Sequence, residues 1–585
     1  MSEYNLIDEP WLPVIDMEMQ SKRVSLREAM MHARDYKVVD GETELQTVAL
    51  LRMLLALSIT ILYRYDENGN ESDLTEKIAL KRWENIYRAG AFPSRALEHY
   101  FYKWHDRFWL FDDKYPFYQV ALGRDAKKLG DDIRARRIVG DPDVRDELKK
   151  LEDYNENFSY SKIKSRNFNG AILESENKPN ASASRNEESK DRLTLPEAIG
   201  WLIFQMAYAD CGSVGKKPFK VKSAGPAEKV ILPLVCKELK GKRIGTASLP
   251  PSTEGCLIYA HGENLFEILM LNACLVKDPM GNLELYDQPH PAWERDGELL
   301  VKCPVSISKN IPELFTLQTR RFILHREEAN PQYIDMVYGA MGDYFGGEAK
   351  SIAHDWEPMF IREYSKNKIR PKHFRANTVY WQNCKYLVAS VDKKQVESPT
   401  VARWATWALK RIVHHHLATF HMTDVEYGTG NSNVAVMYSG FTRVGIEACH
   451  NPDLAYAIRI EIEAINKYAE QLRVYGGNLA KAAGANDNEA KSNGKRLEKE
   501  YLDLISVDFQ RYLDGQGDEA REKLIQMECE HARGVMKAAF DQMPLEAAMG
   551  HSKMTMGEAY KICHFELCKL RKEGEKRIDS IDEED

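Results

Sequence analysis

Histidines and carboxylates are where hydrolytic or metal chemistry would begin, and the chain brings them close in sequence at two places. His354-Asp355 is a dipeptide used by metal phosphohydrolases. Such a site needs further His and Asp ligands on neighbouring helices, and this pair lies among strand-like and loop-like segments. His414-His415-His416, with His421, is richer in imidazole. Adjacent residues on a helix point in different directions, however, and only spacings of three or four share a face. Tyr427-Gly428-Thr429-Gly430-Asn431-Ser432-Asn433 is half of a phosphate fingerprint without the third glycine that opens a helix. Cys563 and Cys568 read as a structural thiol pair on a helix. HExxH, GxSxG and GxxxxGK[ST] do not occur. No set completes a catalytic constellation, so the expectation is a non-enzymatic binding protein with no metal and no cofactor.

Three basic segments have the composition of a local reader of nucleic acid. The first, Lys162–Arg192, holds Lys162, Lys164, Arg166, Asn167, Phe168, Asn169, Gly170 and Lys178. It combines cations for phosphates, amides for base edges and an aromatic ring for stacking. The second is the turn Gly212-Ser213-Val214-Gly215-Lys216-Lys217, continued by Lys220 and Lys222. Its glycines permit close backbone approach and its lysines supply charge. The third, Ile361–Lys385, sets Arg362, Lys366, Lys368, Arg370, Lys372, Arg375 and Lys385 against Glu363. The competing reading of each is a solvated charged loop.

These segments must be carried by a folded body. The chain has 585 residues, 43% hydrophobic and 29% charged, with net charge −8, enough for more than one domain with a buried core. A pI near 6.1 excludes a bulk polycation that coats nucleic acid by charge alone. No stretch approaches eighteen uninterrupted apolar residues, the N-terminus lacks a signal-peptide pattern, and the ten cysteines include no CxxC pair. A soluble cytoplasmic protein without a membrane partner is expected. Val24–Arg34 reads as a helix opened by Ser25, and Glu44–Tyr63 as a core helix with Leu45, Val48, Leu51, Leu54, Leu55 and Ile59 on its apolar side. The aromatic stripe Tyr100, Phe101, Trp104 and Phe108 fits core packing better than base stacking. Tyr154–Arg192 reads as a long polar loop, disordered before assembly, and Leu195–Ala209 as a helix with Pro196 in its first turn. Val230–Val235, Gly255–Tyr259, Leu314–Leu324 and Thr378–Leu387 are β-like. Leu454–Arg473, Leu497–Leu513, Glu519–Ala539 and Met556–Lys572 form four amphipathic stretches suited to an antiparallel bundle. Gly476–Lys495 reads as a mobile low-complexity link and Asp579–Asp585 as a frayed acidic tail.

Further motifs resemble those of a known family. Asn5-Leu6-Ile7-Asp8-Glu9-Pro10-Trp11-Leu12-Pro13-Val14, Tyr115-Pro116-Phe117-Tyr118-Gln119, Pro291-Ala292-Trp293-Glu294-Arg295 and Leu314-Phe315-Thr316-Leu317-Gln318-Thr319-Arg320-Arg321 occur in the order found in the CasA family, the large subunit of the type I-E CRISPR Cascade complex. The resemblance implies an α+β fold, with a large mixed N-terminal domain (1–450) followed by a C-terminal four-helix bundle (451–585). It implies no catalysis. The implied role is recognition of the protospacer-adjacent motif in duplex DNA, promotion of strand separation and R-loop formation, and docking of the effector helicase-nuclease. The implied partners are target double-stranded DNA, the 5′ end of the guide RNA and the other Cascade subunits. Carried over by position, the family's loop near the guide falls at Asn167, Phe168, Asn169 and Gly170, and its glycine loop at Gly212, Ser213, Val214 and Gly215, with Lys216 following. The groove-facing lysine falls at Lys350, and the wedge hairpin at Ser432, Asn433 and Val434. Where the family has a glutamine wedge, this chain has Asn433, one methylene shorter. Lys366 and Lys368 would track the DNA flank through its phosphates. A purely structural scaffold and a metal-dependent nuclease or phosphohydrolase built on His354, Asp355 and the 414–421 histidines are the alternatives.

Overall fold

The computed structural model describes residues 4–112, 115–119, 161–164, 192–208, 250–279, 281, 283–295, 309–327, 329–343, 354–365, 368–374, 379–389, 396–413, 416–427, 434–515, 517–543 and 554–582. The chain divides into two units. One comprises Met1–Phe374, Pro399–Trp407 and His421–Gly440; the other comprises Arg375–Ser398, Ala408–Phe420 and Phe441–Asp585.

The first unit opens with a three-stranded antiparallel sheet in which β1 (Leu12–Asp16) lies between β2 (Ser21–Val24) and β3 (Tyr36–Val39). Between β2 and β3 runs α1 (Leu26–Met31), capped as expected by Ser25, whose side chain accepts from the Glu28 amide. The long helix α2 (Glu44–Arg64) begins at Thr43, which caps the Gln46 amide. By length and hydropathy alone α2 could cross a membrane, yet its apolar window is wholly buried in protein. It is the expected core helix, apolar on every side because it is surrounded. Two helices follow, α3 (Glu76–Ala89) and α4 (Ser94–Trp104); Tyr100 and Phe101 on α4 and Phe108 after it are buried and Trp104 is half-buried, so most of the aromatic stripe packs in the core.

Next come β4 (Ser161–Lys164), β5 (Leu193–Thr194), α5 (Leu195–Tyr208), β6 (Leu257–Ala260) and α6 (Leu265–Asn272). They are followed by α7 (Ile311–Phe315), β7 (Arg320–Arg326), β8 (Tyr333–Met341), β9 (Arg362–Ser365), β10 (Lys368–Pro371), β11 (Val396–Glu397), α8 (Thr400–Ala408), β12 (Leu417–Tyr427) and β13 (Val434–Gly445). The β-like stretch expected at Leu314–Leu324 is instead the end of α7 and the start of β7. Asn310 caps the Glu313 amide and Pro312 sits in the first turn, which favours a helix there. Thr378–Leu387 is likewise not a strand: Tyr380–Tyr386 forms a 3-10 helix. The expected strand at Gly255–Tyr259 is β6.

The four family-like motifs build the core of this unit. Trp11 Nε1 donates to the Leu6 carbonyl at 2.8 Å, and the Ile7 amide donates to Asn5 Oδ1 at 2.9 Å. Gln119 Nε2 donates to the Leu110 carbonyl, while its Oε1 accepts from the Leu324 amide at 2.8 Å. Buried Glu294 accepts from Arg64 at 2.7 and 2.8 Å and from Tyr100 Oη at 2.6 Å. Each of these buried polar groups thus has a hydrogen-bond partner, within its own motif for Asn5 and Trp11 and elsewhere in the unit for Gln119 and Glu294, as burial of a polar side chain requires.

The second unit is dominated by the expected bundle: α9 (Pro452–Ala482), α10 (Asp487–Gly515), α11 (Asp518–Asp541) and α12 (Met556–Asp582). Asn451 caps the first turn of α9 and Pro452 occupies its first position. The stretch 476–495, expected as a mobile link, is helical except for 483–486. The reason is packing. A Cβ on Gly476 would lie 3.0 Å from Gly494 Cα, and one on Gly494 would lie 2.5 Å from the Arg473 carbonyl. Asn493 Nδ2 donates to the Gly476 carbonyl at 2.7 Å. The small residues that look like linker composition let two helix backbones approach closely. Glu461 and Glu528, both fully buried, are held by Arg577, with Arg521 Nε on Glu461 at 2.8 Å. This clamp carries α12 to Asp582, through much of the segment expected to fray. Cys563 and Cys568 are both free thiols. Cys563 is buried, and Cys568 Sγ accepts from Arg533 at 3.4 Å.

Candidate nucleic-acid interface

Asn167, Phe168, Asn169, Gly212, Ser213, Val214, Gly215, Lys216, Lys350, Lys366, Ser432 and Asn433 lie outside the described residues, as does most of 154–192. Lys368 opens β10 and Val434 opens β13. What the structure describes is the frame from which these segments leave and to which they return.

The first basic segment is an excursion from a strand. β4 pairs antiparallel with β8 from Ser161↔Gly339 to Lys164↔Met336, and β5 continues in the same direction with Leu193↔Ile334 and Thr194↔Tyr333. Val337 pairs with Leu324 of β7 as well as with Ile163, so β7 holds the opposite edge of β8. Residues 165–192 therefore leave and rejoin one strand line two positions apart on β8. Ser161–Lys164, expected within the loop, is its first stem.

The other three stems converge on the C-terminus of α5. The last carbonyls of an α-helix have no partner inside the helix. Here three consecutive ones each accept from a hydroxyl on a different part of the chain. Thr319 Oγ1 donates to Met206 at 2.9 Å, Ser252 Oγ donates to Ala207, and Tyr427 Oη donates to Tyr208 at 2.7 Å. Gly212–Gly215 follow Tyr208 in sequence, and Ser252 comes shortly after that segment ends. Tyr427 is the last residue of β12, immediately before 428–433. Thr319 is joined to the end of β8, because Gly342 N donates to the Thr319 carbonyl and Asp343 N to that of Gln318. The segment containing Lys350 starts directly afterwards.

The stem of the β9–β10 hairpin meets the same strand. Buried Asp424 on β12 accepts from the Phe374 amide at 2.6 Å and lies 3.1 Å from His373 Nδ1. That bond raises the His373 pKa against the opposing effect of burial. Burial pushes His421, also on β12, down to about 4. It is neutral at neutral pH and lies between Tyr259 and Ser439 Oγ, the latter at 2.8 Å. Burial opposes the charge of Arg295, but Asp343 at 2.8 Å and Glu313 at 2.9 Å outweigh it and raise the guanidinium above its ordinary pKa. The fully buried pair Arg52–Glu357, at 2.9 and 3.0 Å, ties α2 to the chain just before β9.

Two expectations need correction. Arg362 is no surface cation: it is fully buried and donates to the His354 carbonyl at 3.2 Å and the Glu357 carbonyl at 2.8 Å. Lys372 is bonded to Glu363, and the third basic segment is a hairpin, β9–β10, and then a 3-10 helix, not one loop. Arg370 remains exposed on β10. For the metal alternative, His354 Nε2 lies 3.7 Å from Glu254 and Asp355 lies 3.3 Å from Lys277. Among the described residues no three His, Cys, Asp or Glu side chains gather as metal ligands. The hydroxyls of Ser252, Thr319 and Tyr427 are not conspicuous in the sequence. Thr319 and Tyr427 stand inside quoted motifs, whereas Ser252 carries no local signal.

Comparison with known proteins identifies this frame. The model of the CRISPR-associated protein Cse1 family matches residues 5–541. The CRISPR-associated protein CasA/Cse1 of Thermus thermophilus is 31% identical over 121 residues, which span 21% of this chain and 22% of that relative, about a fifth of its length. The crystal structure of Thermobifida fusca Cse1 superposes with a TM-score of 0.70 at 19% identity, covering 98% of both chains. Cse1 from Acidimicrobium ferrooxidans gives 0.69 at 19% identity, covering 98% of this chain and 99% of that one. A chain of a CRISPR RNA-guided surveillance complex gives 0.63 at 13% identity, covering 98% and 99%. At these identities the structural likeness speaks to the fold, an α+β body with a helical C-terminus. The family match spans nearly the whole chain, and the chain belongs to the CRISPR-associated protein Cse1 (CasA) family.

Proposed function

We propose that this chain is the non-catalytic large subunit of a type I-E CRISPR RNA-guided surveillance complex in the cytoplasm. It reads the protospacer-adjacent motif in duplex DNA through Gly212–Gly215, Lys216 and Lys350, and starts strand separation with Ser432, Asn433 and Val434. Lys366 and Lys368 follow the flanking phosphates, Asn167–Asn169 approach the guide RNA 5′ end, and the assembled complex recruits the effector helicase-nuclease. The observation that carries the reading is the convergence of stems on the end of α5. The segments carrying the glycine turn, Lys350 and the wedge are rooted on three successive carbonyls or on the residue beside their donor. A reader that must recognise a few base pairs and part them next to the same place needs its elements rooted together. Minor-groove readout is degenerate, so a permissive motif is expected. The isolated chain should bind DNA weakly, with avidity supplied by the guide duplex and partner subunits.

The test is target-duplex binding by the assembled complex with and without this chain, at fixed salt, with a randomised three-base flank. Flank preference that requires the chain and weakens in Lys350→Ala supports the reading. Equal binding and preference without the chain would make it a scaffold. Metal-dependent cleavage by the purified chain that is lost in His354→Ala would make it an enzyme.

A further inference from the structure

Resting on that function, we infer that Tyr427 is a positioning residue that couples recognition of the flank to opening of the strands. The two acts belong to different segments: recognition to the glycine-bearing segment after α5 and the segment of Lys350, strand opening to residues 428–433 between β12 and β13. A direct bond joins the roots of the glycine-bearing segment and of 428–433, from Tyr427 Oη to the Tyr208 carbonyl at 2.7 Å, across 219 positions of sequence.

Three features give this bond its role. First, it joins the last described residue before one segment to the last described residue before the other, so a displacement of either root is felt at the other. Second, the carbonyl it satisfies is a helix-terminal one at the negative end of the helix dipole, where a donor is well placed. Tyr208 itself is buried in the core, so this end of α5 is a fixed anchor. Third, the neighbouring bonds do other work. Ser252 closes the glycine segment onto itself at Ala207, and Thr319 ties the end of β8 to Met206. Of these three donors, only Tyr427 belongs to the wedge hairpin. Asp424 and His421 hold the same strand from within the protein, so β12 remains in place when the hydroxyl is removed. What changes is the tie between the two segments.

The test uses the assembled complex and a target duplex with 2-aminopurine beside the flank, reading flank-dependent binding and the rate of strand opening. Tyr427→Phe keeps the ring and removes the donor. Loss of one partly buried neutral hydrogen bond corresponds to roughly a threefold to tenfold effect. The opening rate on the preferred flank should fall by that factor, while opening on a poor flank stays the same. Combined with Asn433→Ala, the effect should be non-additive, the double variant opening no more slowly than Asn433→Ala alone. Thermal unfolding of the free chain checks that each variant is folded. A Tyr427→Phe complex that opens preferred flanks at the wild-type rate would overturn the inference, as would losses that simply multiply with those of Asn433→Ala. If the wild-type complex shows no chain-dependent flank preference, the proposed function fails first. If it does and Tyr427→Phe matches it, the coupling alone fails.

Discussion

Two helices of this protein end in opposite ways. α9 closes on itself: Gly484 takes a positive φ of 89°, Ala485 N reaches back to the Ala480 carbonyl and Gly484 N to that of Lys481. The chain then enters α10 within four residues. This is a local stop, written in a glycine at the required place. α5 has no such stop among its described residues. Its terminal carbonyls accept from Ser252, Thr319 and Tyr427, which lie 45, 113 and 219 positions from their acceptors. A locally capped end makes a connection that depends on little else. An end capped from a distance gathers separate chain segments at one point, which suits a site assembled from several loops.

The contrast can be broken most forcefully at the bundle's buried ion cluster. Arg577→Leu leaves Glu461 and Glu528 buried without their shared partner. It should destabilise the bundle by about 4 kcal/mol, seen as loss of amide-exchange protection in α9, α11 and α12. Gly494→Val should cost about 3 kcal/mol, because its Cβ meets the Arg473 carbonyl backbone at 2.5 Å. The protection lost would be along α9 and α10, and an unchanged pattern would return 476–495 to a linker.

On the α5 side the contrast can be sharpened with pH. Between the ordinary imidazole value near 6.5 and about 4, the unfolded chain takes up a proton that folded His421 refuses. Stability therefore falls as pH drops through that window, by about 2 kcal/mol at pH 5. His373 acts in the other direction, since Asp424 favours its charged form and its contribution is retained as pH falls. Denaturant unfolding at pH 7 and pH 5 should show a smaller acid loss in His421→Gln than in the wild type. The smallest effect is a gain. Gly534 lies mid-helix in α11, and a methyl group added there would meet nothing within 4 Å, so Gly534→Ala should stabilise the chain by about 0.5–1 kcal/mol. Together Gly494 and Gly534 separate a glycine required by contact from one that is merely tolerated.

Elements with a local cause were legible in the sequence. Ser25 announces α1, the apolar spacing of 44–63 announces α2, and four amphipathic runs announce the bundle. The misreading at Leu314–Leu324 passed over a local cap, Asn310 with Pro312 behind it, whereas two others arise from tertiary context overriding composition. Glycine and alanine at 476–495 resemble a linker until a second helix lies against them. Arg362 looks like a phosphate-binding cation until burial turns it toward two carbonyls. The family-like motifs were legible as a set, yet in the structure they build the core. Trp11, Gln119 and Glu294 are held in internal hydrogen bonds, so those motifs report the fold. The candidate site was legible as basic, glycine-bearing segments. Their common root was not, because a hydroxyl 219 positions away leaves no local trace.

The central claim is that the segments rooted at α5 act on DNA together. It is tested most directly by amide exchange of the assembled complex with and without a target duplex carrying the preferred flank. DNA should protect 209–217, 344–353 and 428–433 together, and the same duplex with a poor flank should protect them much less. Protection absent from all three, or insensitive to the flank, would contradict it.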